Sequence, residues 1–236
     1  MKSILNYLII VTVLFYGATL KAQSQDEIIK KHIEAIGGAA AWAKVNSMKM
    51  EASMKMQGAE VKMTFLRVNK KASRQNISVM GMDGYIITTQ NEGWTFMPFQ
   101  GQTKPEPMTA DDVKNAQDEL NIQEEFISYK ELGKKLEYLG KEDVDGTECY
   151  KFKMTNKDGK ETSYFLDTES YYTIKQSSKV VADGKEMEAV VNFGNYKKLP
   201  EGIVCPMTIG AMWGDTEVTK IEVNPVIDDK EFKVTK

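Results

Sequence analysis

The chain has little of the chemistry that most enzymes need. Its 236 residues contain one histidine, His32, and two cysteines, Cys149 and Cys205. The sequence has no GxSxG nucleophile motif, no Cys/His cluster with zinc spacing and no glycine-rich phosphate loop. These absences disfavour a hydrolase, a zinc site and a nucleotide-binding loop. We therefore expect a non-enzymatic protein with no catalytic residue, no metal and no cofactor.

The remaining candidates for acid–base chemistry have simpler interpretations. His32 lies on the predicted first helix, where a half-buried helical residue is the simplest assignment. Three pairs of neighbouring carboxylates occur: Asp111-Asp112, Glu124-Glu125 and Asp228-Asp229. Neighbours in sequence point in different directions on a helix. We expect these pairs to form solvated faces, with acid–base catalysis or a weak metal site as the alternative.

Positive charge is not in excess. The chain carries 31 Lys and Arg against 34 Asp and Glu, a formal net charge of −3 at pH 7. Proteins that bind nucleic acid usually carry a basic surface that neutralises phosphates. The sequence is therefore a poor candidate for that class, and we expect no nucleic-acid partner.

Long apolar runs are confined to the N-terminus. One lysine precedes a nearly uninterrupted apolar run over 4–20, which ends in LKAQ. This arrangement is typical of a secretory signal peptide. We expect residues 1–22 to be that peptide, cleaved near Ala22, and 23–236 to form a single exported, periplasmic domain. An uncleaved anchor is the alternative, although the run is at the short limit for a membrane span.

Methionine, by contrast, is abundant and is concentrated in one segment. The stretch SMKMEASMKMQ, from Ser47 to Gln57, alternates apolar and polar residues with a period of two. Such alternation predicts a half-buried β-strand. Its apolar parity consists of Met48, Met50, Ala52, Met54 and Met56. The strand should therefore present a row of thioether side chains on one face of a sheet.

Two tight turns predict strand pairings. Taking Gly58-Ala59 as a two-residue loop sets the register of a hairpin that begins with the methionine strand. The predicted partners are Met56–Val61, Met54–Met63, Ala52–Phe65 and Met50–Arg67. All but the last pair join apolar residues, so the turn and the pattern agree. A later turn at Asp183-Gly184 predicts the pairs Val180–Met187 and Lys179–Glu188.

The rest of the chain predicts one helix, a helical insertion and many strands. Apolar residues in DEIIKKHIEAIGG recur at helical spacing, and Gly37-Gly38 should end this first helix. A helical insertion is predicted over 109–132, with Thr109 as its cap. About ten or eleven strands without βαβ alternation predict a large antiparallel sheet in an α+β protein.

The two cysteines are not expected to form a disulfide, although an exported protein permits one. Cys205 shares its strand parity with Ile203 and Met207, whereas Cys149 shares its parity with two lysines. At least three predicted strands lie between them in sequence. At about 4.8 Å per neighbouring strand, the Cα–Cα distance exceeds the roughly 7 Å limit for a disulfide. The thiols should face opposite sides of the sheet and remain free.

Local signatures, in a fixed order, carry a resemblance to a known family. They are GWTFMPF at 93–99, GKEDVDGTECYKFKMT at 140–155, YFLDTESYYTIK at 164–175, GIVCPMTI at 202–209 and VIDDKEFKV at 226–234. Together with the methionine hairpin and the helix ending in Gly-Gly, they resemble the periplasmic proteins related to LolA and LolB. The branch that looks most similar is that of outer-membrane lipoprotein-sorting proteins, and the resemblance covers almost all of 23–236.

The resemblance implies a strongly curved, unclosed half-barrel with helices over its concave face. It also implies a hydrophobic cavity for the acyl chains of lipoproteins or lipids in a monomeric carrier. Inner-membrane donor and outer-membrane acceptor proteins would be its further partners. No cysteine follows the apolar run, which favours a LolA-like soluble carrier over an anchored LolB-like one. The alternative is an interaction or sensor module whose sheet is filled by its own core.

Ten residues are candidate ligand contacts: Met48, Met50, Met54, Met56, Met63, Phe65, Arg67, Trp94, Phe96 and Phe99. Methionine is unbranched and polarizable, so it can repack around irregular acyl chains. The guanidinium would bind an ester carbonyl or a phosphate, and the three aromatic residues would gate the cavity mouth. The alternatives are core packing of the methionines and aromatic residues, and an arginine that reaches water.

Overall fold

The computed structural model describes residues 25–56, 58–182, 185–212 and 214–234. The predicted signal peptide, 1–22, and the Asp183-Gly184 loop lie outside these residues. In the described part of the chain, no helix has the length and apolarity needed to cross a membrane.

Four short helices and many strands make up the described residues. The helices are α1 (25–35), α2 (Ala39–Trp42), α3 (Ala110–Asn115) and α4 (Glu125–Ser128). The strands are β1 (Ser47–Met56), β2 (Ala59–Val68), β3 (Ala72–Val79), β4 (Met82–Thr89), β5 (Gly93–Phe96), β6 (Glu106–Pro107), β7 (Lys135–Val144), β8 (Thr147–Thr155), β9 (Glu161–Asp167), β10 (Thr173–Ala182), β11 (Lys185–Gly194), β12 (Lys197–Lys198), β13 (Val204–Cys205), β14 (Thr208–Ala211) and β15 (Gly214–Val223). Short 3-10 turns cover Pro98–Gln100, Ala116–Leu120 and Asp229–Phe232.

Thirteen of the described strands form one antiparallel sheet that does not close on itself. Their order is β6-β5-β4-β3-β2-β1-β15-β14-β11-β10-β9-β8-β7, and β12 pairs separately with β13. The predicted fold, a curved half-barrel with helices on its concave face, is confirmed. The strand number exceeds the predicted ten or eleven because strands of two residues, such as β6, are too short to show alternation.

The β1–β2 register differs from the predicted one by two residues. Met56 pairs with Ala59 and Met54 pairs with Val61, so the turn lies one residue earlier than predicted. Gly58 has a φ of 85°, a left-handed conformation that glycine adopts without steric cost and that suits the second position of the loop. A change of two residues keeps every side chain on its face. The methionines therefore still share one side of the sheet.

The predicted second hairpin and the predicted helical insertion are confirmed. Val180 pairs with Met187, and Lys179 pairs with Glu188. In the insertion, the Thr109 hydroxyl oxygen accepts a 3.1 Å hydrogen bond from the Asp112 backbone N–H and so caps α3.

Two apolar clusters attach the helices to the concave face. Under α1 and α4 lie Ile28, Ile29, Phe126, Tyr129, Phe152, Met154, Tyr164 and Leu166. Around α2 lie Ile36, Trp42, Val45, Ile122, Ile203 and Cys205. As predicted, α1 ends before Gly37-Gly38. A Cβ at Gly37, where φ is 104°, would collide with the carbonyl oxygen of Gly202, so the α1–α2 turn packs directly on backbone.

The convex face has its own clusters, and they separate the two cysteines. Cys149 is buried with Val144 and Phe165 on the convex side, whereas Cys205 belongs to the cluster around α2. Both thiols are free, which confirms the prediction. Burial raises the pKa of Cys149 to about 11 and that of Cys205 to about 12.

Candidate functional site

The concave face places the predicted methionines in two different environments. Met48 packs against the cluster around α2, and Met50 and Phe65 flank a small cluster formed by Ala52, Met207 and Val218. Met54 and Met63 are half-buried, and Met56 at the strand end is exposed. The row of methionines therefore leaves the helix-covered part of the sheet and continues onto a part with much less cover.

A row of directly paired residues crosses this less covered part. Met54 pairs with Val61 on one side and Thr216 on the other, and the row continues through Ile209 to Phe193. Directly opposite residues in antiparallel strands lie on the same face. The Thr216 hydroxyl lies 3.9 Å from the Met54 sulfur. We call the half-exposed concave surface around this row the methionine groove; it comprises Met54, Met56, Met63, Phe65, Val180, Met187, Phe193 and Ile209.

The methionine groove leads into a cavity of about 490 Å³ between the helical insertion and the sheet. Phe193 belongs to both, so the groove and the cavity are continuous. Other cavity-lining residues are His32, Trp42, Arg67, Glu119, Gln176 and Tyr196. The Tyr196 hydroxyl donates a 2.6 Å hydrogen bond to the Thr173 carbonyl, and burial raises the pKa of this phenol. The volume lies within the range of small-molecule sites, about 300–1,000 Å³.

Arg67 is the one predicted contact that lines this cavity. It is half-buried near the end of β2, opposite Met48. Burial lowers the pKa of its guanidinium, and the charge of Glu119 partly opposes that effect. Within the described ranges, Arg67 makes no hydrogen bond and no ion pair within 4.0 Å. A guanidinium in this setting is available to an anionic or carbonyl group of a ligand.

His32 is more deeply buried than the sequence predicted. Its side chain is 1% exposed, and its edge contacts the Phe126 ring with centroids 4.7 Å apart. Nδ1 lies 2.7 Å from the Tyr171 carbonyl oxygen, and Nε2 lies 3.3 Å from Glu124 Oε1 without hydrogen-bond alignment. Burial alone would lower the pKa of His32, but the Glu124 carboxylate and the Tyr171 carbonyl outweigh it and raise the pKa. The histidine thus joins α1 to the insertion.

The pair Glu124-Glu125 does not form the solvated face that we expected. Glu124 Oε2 accepts a 2.7 Å hydrogen bond from the Phe126 N–H and caps α4. Glu125 lies 3.2 Å from the buried ammonium of Lys134, and burial raises the pKa of its carboxyl. Both carboxylates therefore hold the insertion in place. In the ranges that the structure covers, no group of three or more His, Cys, Asp or Glu side chains is arranged to hold a metal ion.

The three aromatic candidates are divided between the two faces. Trp94 and Phe96 pack beside Tyr85 and Phe232 in a convex-face cluster. Phe99 lies on the concave side, where its Cε1 would be 2.9 Å from a Cβ at Gly84. The structure does not bring these aromatic residues together at the cavity. The geometry favours core packing for Trp94 and Phe96, the alternative that the sequence left open.

Sequence reasoning missed the part of the site that β10 and β11 contribute. Val180, Met187 and Phe193 lie on the same face as the methionines of β1, because β14 and β15 connect the two regions. The alternation in KEMEAVVNF indicates a strand but does not say which distant strand it faces. The strand order was the missing information.

Comparisons of the structure with known structures support one fold. It is similar to a LolA superfamily protein from Nitrosomonas europaea (TM-score 0.56, 14% identity, 87% of this chain and 96% of that one). It is also similar to a DUF1329 family protein from Desulfovibrio piger (TM-score 0.54, 11% identity, 88% and 96%). A third is a domain named for outer membrane lipoprotein sorting, from Vibrio parahaemolyticus (TM-score 0.50, 12% identity, 87% and 94%).

In sequence, no protein-family model and no curated protein matches the chain. The structural similarity extends over nearly the whole of each compared chain, so it concerns the complete domain and not one shared hairpin. The resemblance suggested by the sequence signatures is therefore confirmed for the architecture: the chain has a LolA/LolB-like fold.

Proposed function

We propose that the protein is an exported, non-enzymatic carrier that binds the acyl chains of lipoproteins or lipids in its periplasmic domain. The observation that carries this proposal is the methionine groove, a half-exposed apolar surface continuous with a cavity of about 490 Å³. The names of two similar structures, a LolA superfamily protein and a lipoprotein-sorting domain, support the same class. Transfer would run toward the outer membrane.

The chemistry of the groove suits a ligand that must be released again. Burying a C16 chain contributes on the order of 12 kcal/mol, at about 0.8 kcal/mol per CH₂ group. A rigid and fully enclosing pocket would hold such a chain too tightly for transfer. Thioether side chains adapt to the ligand, and a half-exposed groove leaves part of the chain uncovered, so both features moderate the affinity.

Arg67 supplies the one cationic contact of this proposal. A lipid or lipoprotein carries ester carbonyls, and many lipids carry a phosphate or a carboxylate. The guanidinium lines the cavity without a hydrogen-bonded partner among the described residues, so it can bind such a group while the acyl chain lies on the groove.

A second candidate function is an interaction or sensor module whose sheet is filled by its own side chains. The β7–β9 part of the concave face favours this alternative, because Phe126, Phe152 and Tyr164 are buried there in one cluster. Native mass spectrometry of protein purified without detergent from the periplasm separates the two functions. Bound species of acyl-chain mass are expected for the carrier, and bare protein would support the module.

A pair of acidic substitutions tests the groove directly. Met54→Asp and Met63→Asp place carboxylates on the half-buried concave surface. Because an acyl chain bound there would desolvate these charges, we expect the affinity for a fluorescent fatty acid to fall at least about tenfold. The matched controls are Ser53→Asp and Thr64→Asp, which change neighbouring residues on the opposite face. The measurements are probe affinity and melting temperature.

The two outcomes of this test separate a groove from a core. Variants that fold like the parent but lose the probe support the carrier. Variants that unfold at low temperature would instead mean that Met54 and Met63 are part of a packed core.

A further inference from the structure

Several hairpins of the sheet turn at the same edge. β1 and β3 both run antiparallel to β2, so their C-terminal ends, Met56 and Val79, lie at the same edge, one on each side of β2. β15 begins next to the end of β1, since Met54 pairs with Thr216. β11 begins on this side of the sheet too: Val191 pairs with Ala211 at the end of β14, and the β10–β11 turn lies six residues before Val191, so this hairpin projects about 20 Å beyond the β14–β15 turn. We call the edge formed by the β1–β2, β3–β4, β10–β11 and β14–β15 turns the open rim.

Exposed apolar side chains gather at the open rim. Of the nine large hydrophobic residues that are exposed in the described ranges, six belong to these hairpins. They are Met80 (80% exposed), Met212 (55%), Met82 (43%), Met56 (38%), Met187 (38%) and Val180 (37%). Five of the six are methionines on four separate hairpins. Turn positions are normally occupied by glycine, proline and small polar residues. A concentration of exposed apolar side chains at several turns therefore indicates a contact surface.

The open rim is also the mouth of the methionine groove. Met56, Val180 and Met187 belong to the groove, and Met82 lies beside it, opposite Val79 on the same face. A ligand that slides along the groove therefore leaves the protein between these side chains. Whatever the open rim contacts is in position to give or receive the acyl chain.

The charges near the open rim say which contact fits. Lys62 lies 3.5 Å from Glu60, Lys179 lies 2.5 Å from Glu186, and Lys160 lies 3.3 Å from Asp158. Lys55 and Lys185 make no ion pair within 4.0 Å among the described residues. Next to the four turns of the rim, however, five carboxylates (Glu60, Asp83, Glu186, Glu188 and Asp215) outnumber the four lysines, so the described part of the rim has no net positive charge to attract an anionic surface. Flexible side chains on separate hairpins do not form one rigid surface that a pocket of a partner protein could complement. A fluid apolar layer accepts such an arrangement without a fixed complementary shape.

We propose that the open rim docks on a lipid bilayer, inserting its methionine tips into the interface so that an acyl chain passes end-on between the bilayer and the groove. The purpose of this docking rests on the proposed carrier function, but its test does not. Docking would be driven by apolar burial and would need no anionic lipid.

Vesicle flotation tests the proposal with protein recovered from the periplasm of cells that express the full chain. The double variant Met80→Gln/Met212→Gln changes the two most exposed rim residues, and we expect its partitioning onto phosphatidylcholine vesicles to fall on the order of tenfold or more. The control is Val226→Gln, the most exposed apolar residue, which follows β15 at the opposite end of the sheet. The control should partition like the parent.

Further readouts decide between the proposal and its rivals. Adding phosphatidylglycerol or salt should change partitioning little, and a strong dependence on either would overturn the proposal in favour of a charged surface. Equal partitioning of parent and double variant, or none for the parent, would also overturn it. A dimer that dissociates only in the double variant would assign the rim to a second copy. Met80 and Met212 do not line the methionine groove, so the double variant should still bind a fatty acid in solution. This binding reports separately on the carrier function.

Discussion

The concave face of the sheet has two regions that differ in how deeply their apolar side chains are buried. In the covered region, under α1 and α4, Phe126 contacts Phe152 and Tyr164 edge to face, with ring centroids 5.6 and 5.2 Å apart. All three rings are buried. In the methionine groove, by contrast, Met54 and Met63 are half-buried and belong to neither of the clusters under the described helices.

The difference shows how one fold can hold its shape and still offer a binding surface. Aromatic rings have few rotamers and preferred contact angles, so they fix the helices on the sheet. Methionine side chains have three rotatable bonds and can change rotamer to fit different neighbours, so they leave the groove adaptable. Stability should therefore depend on the covered region, and ligand binding should depend on the groove.

The largest effect expected from this comparison is on stability. Phe126→Ala should lower the free energy of unfolding by about 3–5 kcal/mol, because it leaves a cavity at the centre of three aromatic contacts. Met54→Ala should cost about 1 kcal/mol or less, since its half-exposed site can be filled by water or ligand. Urea denaturation of the two variants measures both values. Equal losses would mean that the groove is core after all.

A smaller effect concerns pH, because a buried ion pair ties the covered region to the insertion. The pKa of His32 is raised in the folded state, so the folded protein binds the proton more tightly than the unfolded chain does. The resulting stabilisation is fully present below the unfolded pKa of about 6.5 and is lost as pH rises through the folded pKa. Glu124→Gln keeps an oxygen for the α4 cap but removes the charge.

We expect Glu124→Gln to cost about 1–3 kcal/mol near pH 5.5 and to cost less at pH 8.5. Since His32 is the only histidine, its ring-proton resonance can be titrated by NMR without assignment, and the variant should show a lower pKa. An unchanged titration would mean that Glu124 does not hold the proton.

The smallest effect falls at the boundary between the two regions, where Arg67 lies. Arg67→Leu should leave stability within about 1 kcal/mol, because the guanidinium is half-buried without a fixed partner among the described residues. It should weaken binding of a fatty acid about tenfold while changing binding of the corresponding hydrocarbon-tailed alcohol less. Arg67→Lys is the control that keeps the charge. Equal effects on both ligands would show that Arg67 only fills space.

The sequence predicts the local features of this fold well. Period-two alternation identified β1 and the face of its methionines, and the Gly-Gly pair placed the end of α1 correctly. The hairpin register was wrong by two residues, because two adjacent turn positions both satisfy the apolar pattern and a left-handed Gly58 suits a two-residue loop at either of them. The observed pairing of Met56 with Ala59 decides between them.

What the sequence could not supply depends on long-range pairing. The side of the sheet that Trp94 and Phe96 occupy follows from the pairing of β5 with β4, and the cover over them comes from Phe232 near the chain end. The burial of His32 likewise depends on Glu124 and Tyr171, which are distant in sequence. Periodicity reports the face of a strand but not the residue that covers it.

Gly37 leaves no space for a side chain between the α1–α2 turn and the backbone at Gly202. The Val204 N–H also donates a 2.9 Å hydrogen bond to the Ile36 carbonyl, so the turn is bonded to the wall that it touches. Because this turn is anchored to the backbone at 202–204, we do not expect α1 and α2 to swing away from the sheet as a lid. We therefore expect the cargo to slide lengthwise along the groove, and the rate of exchange to depend on the length of the acyl chain.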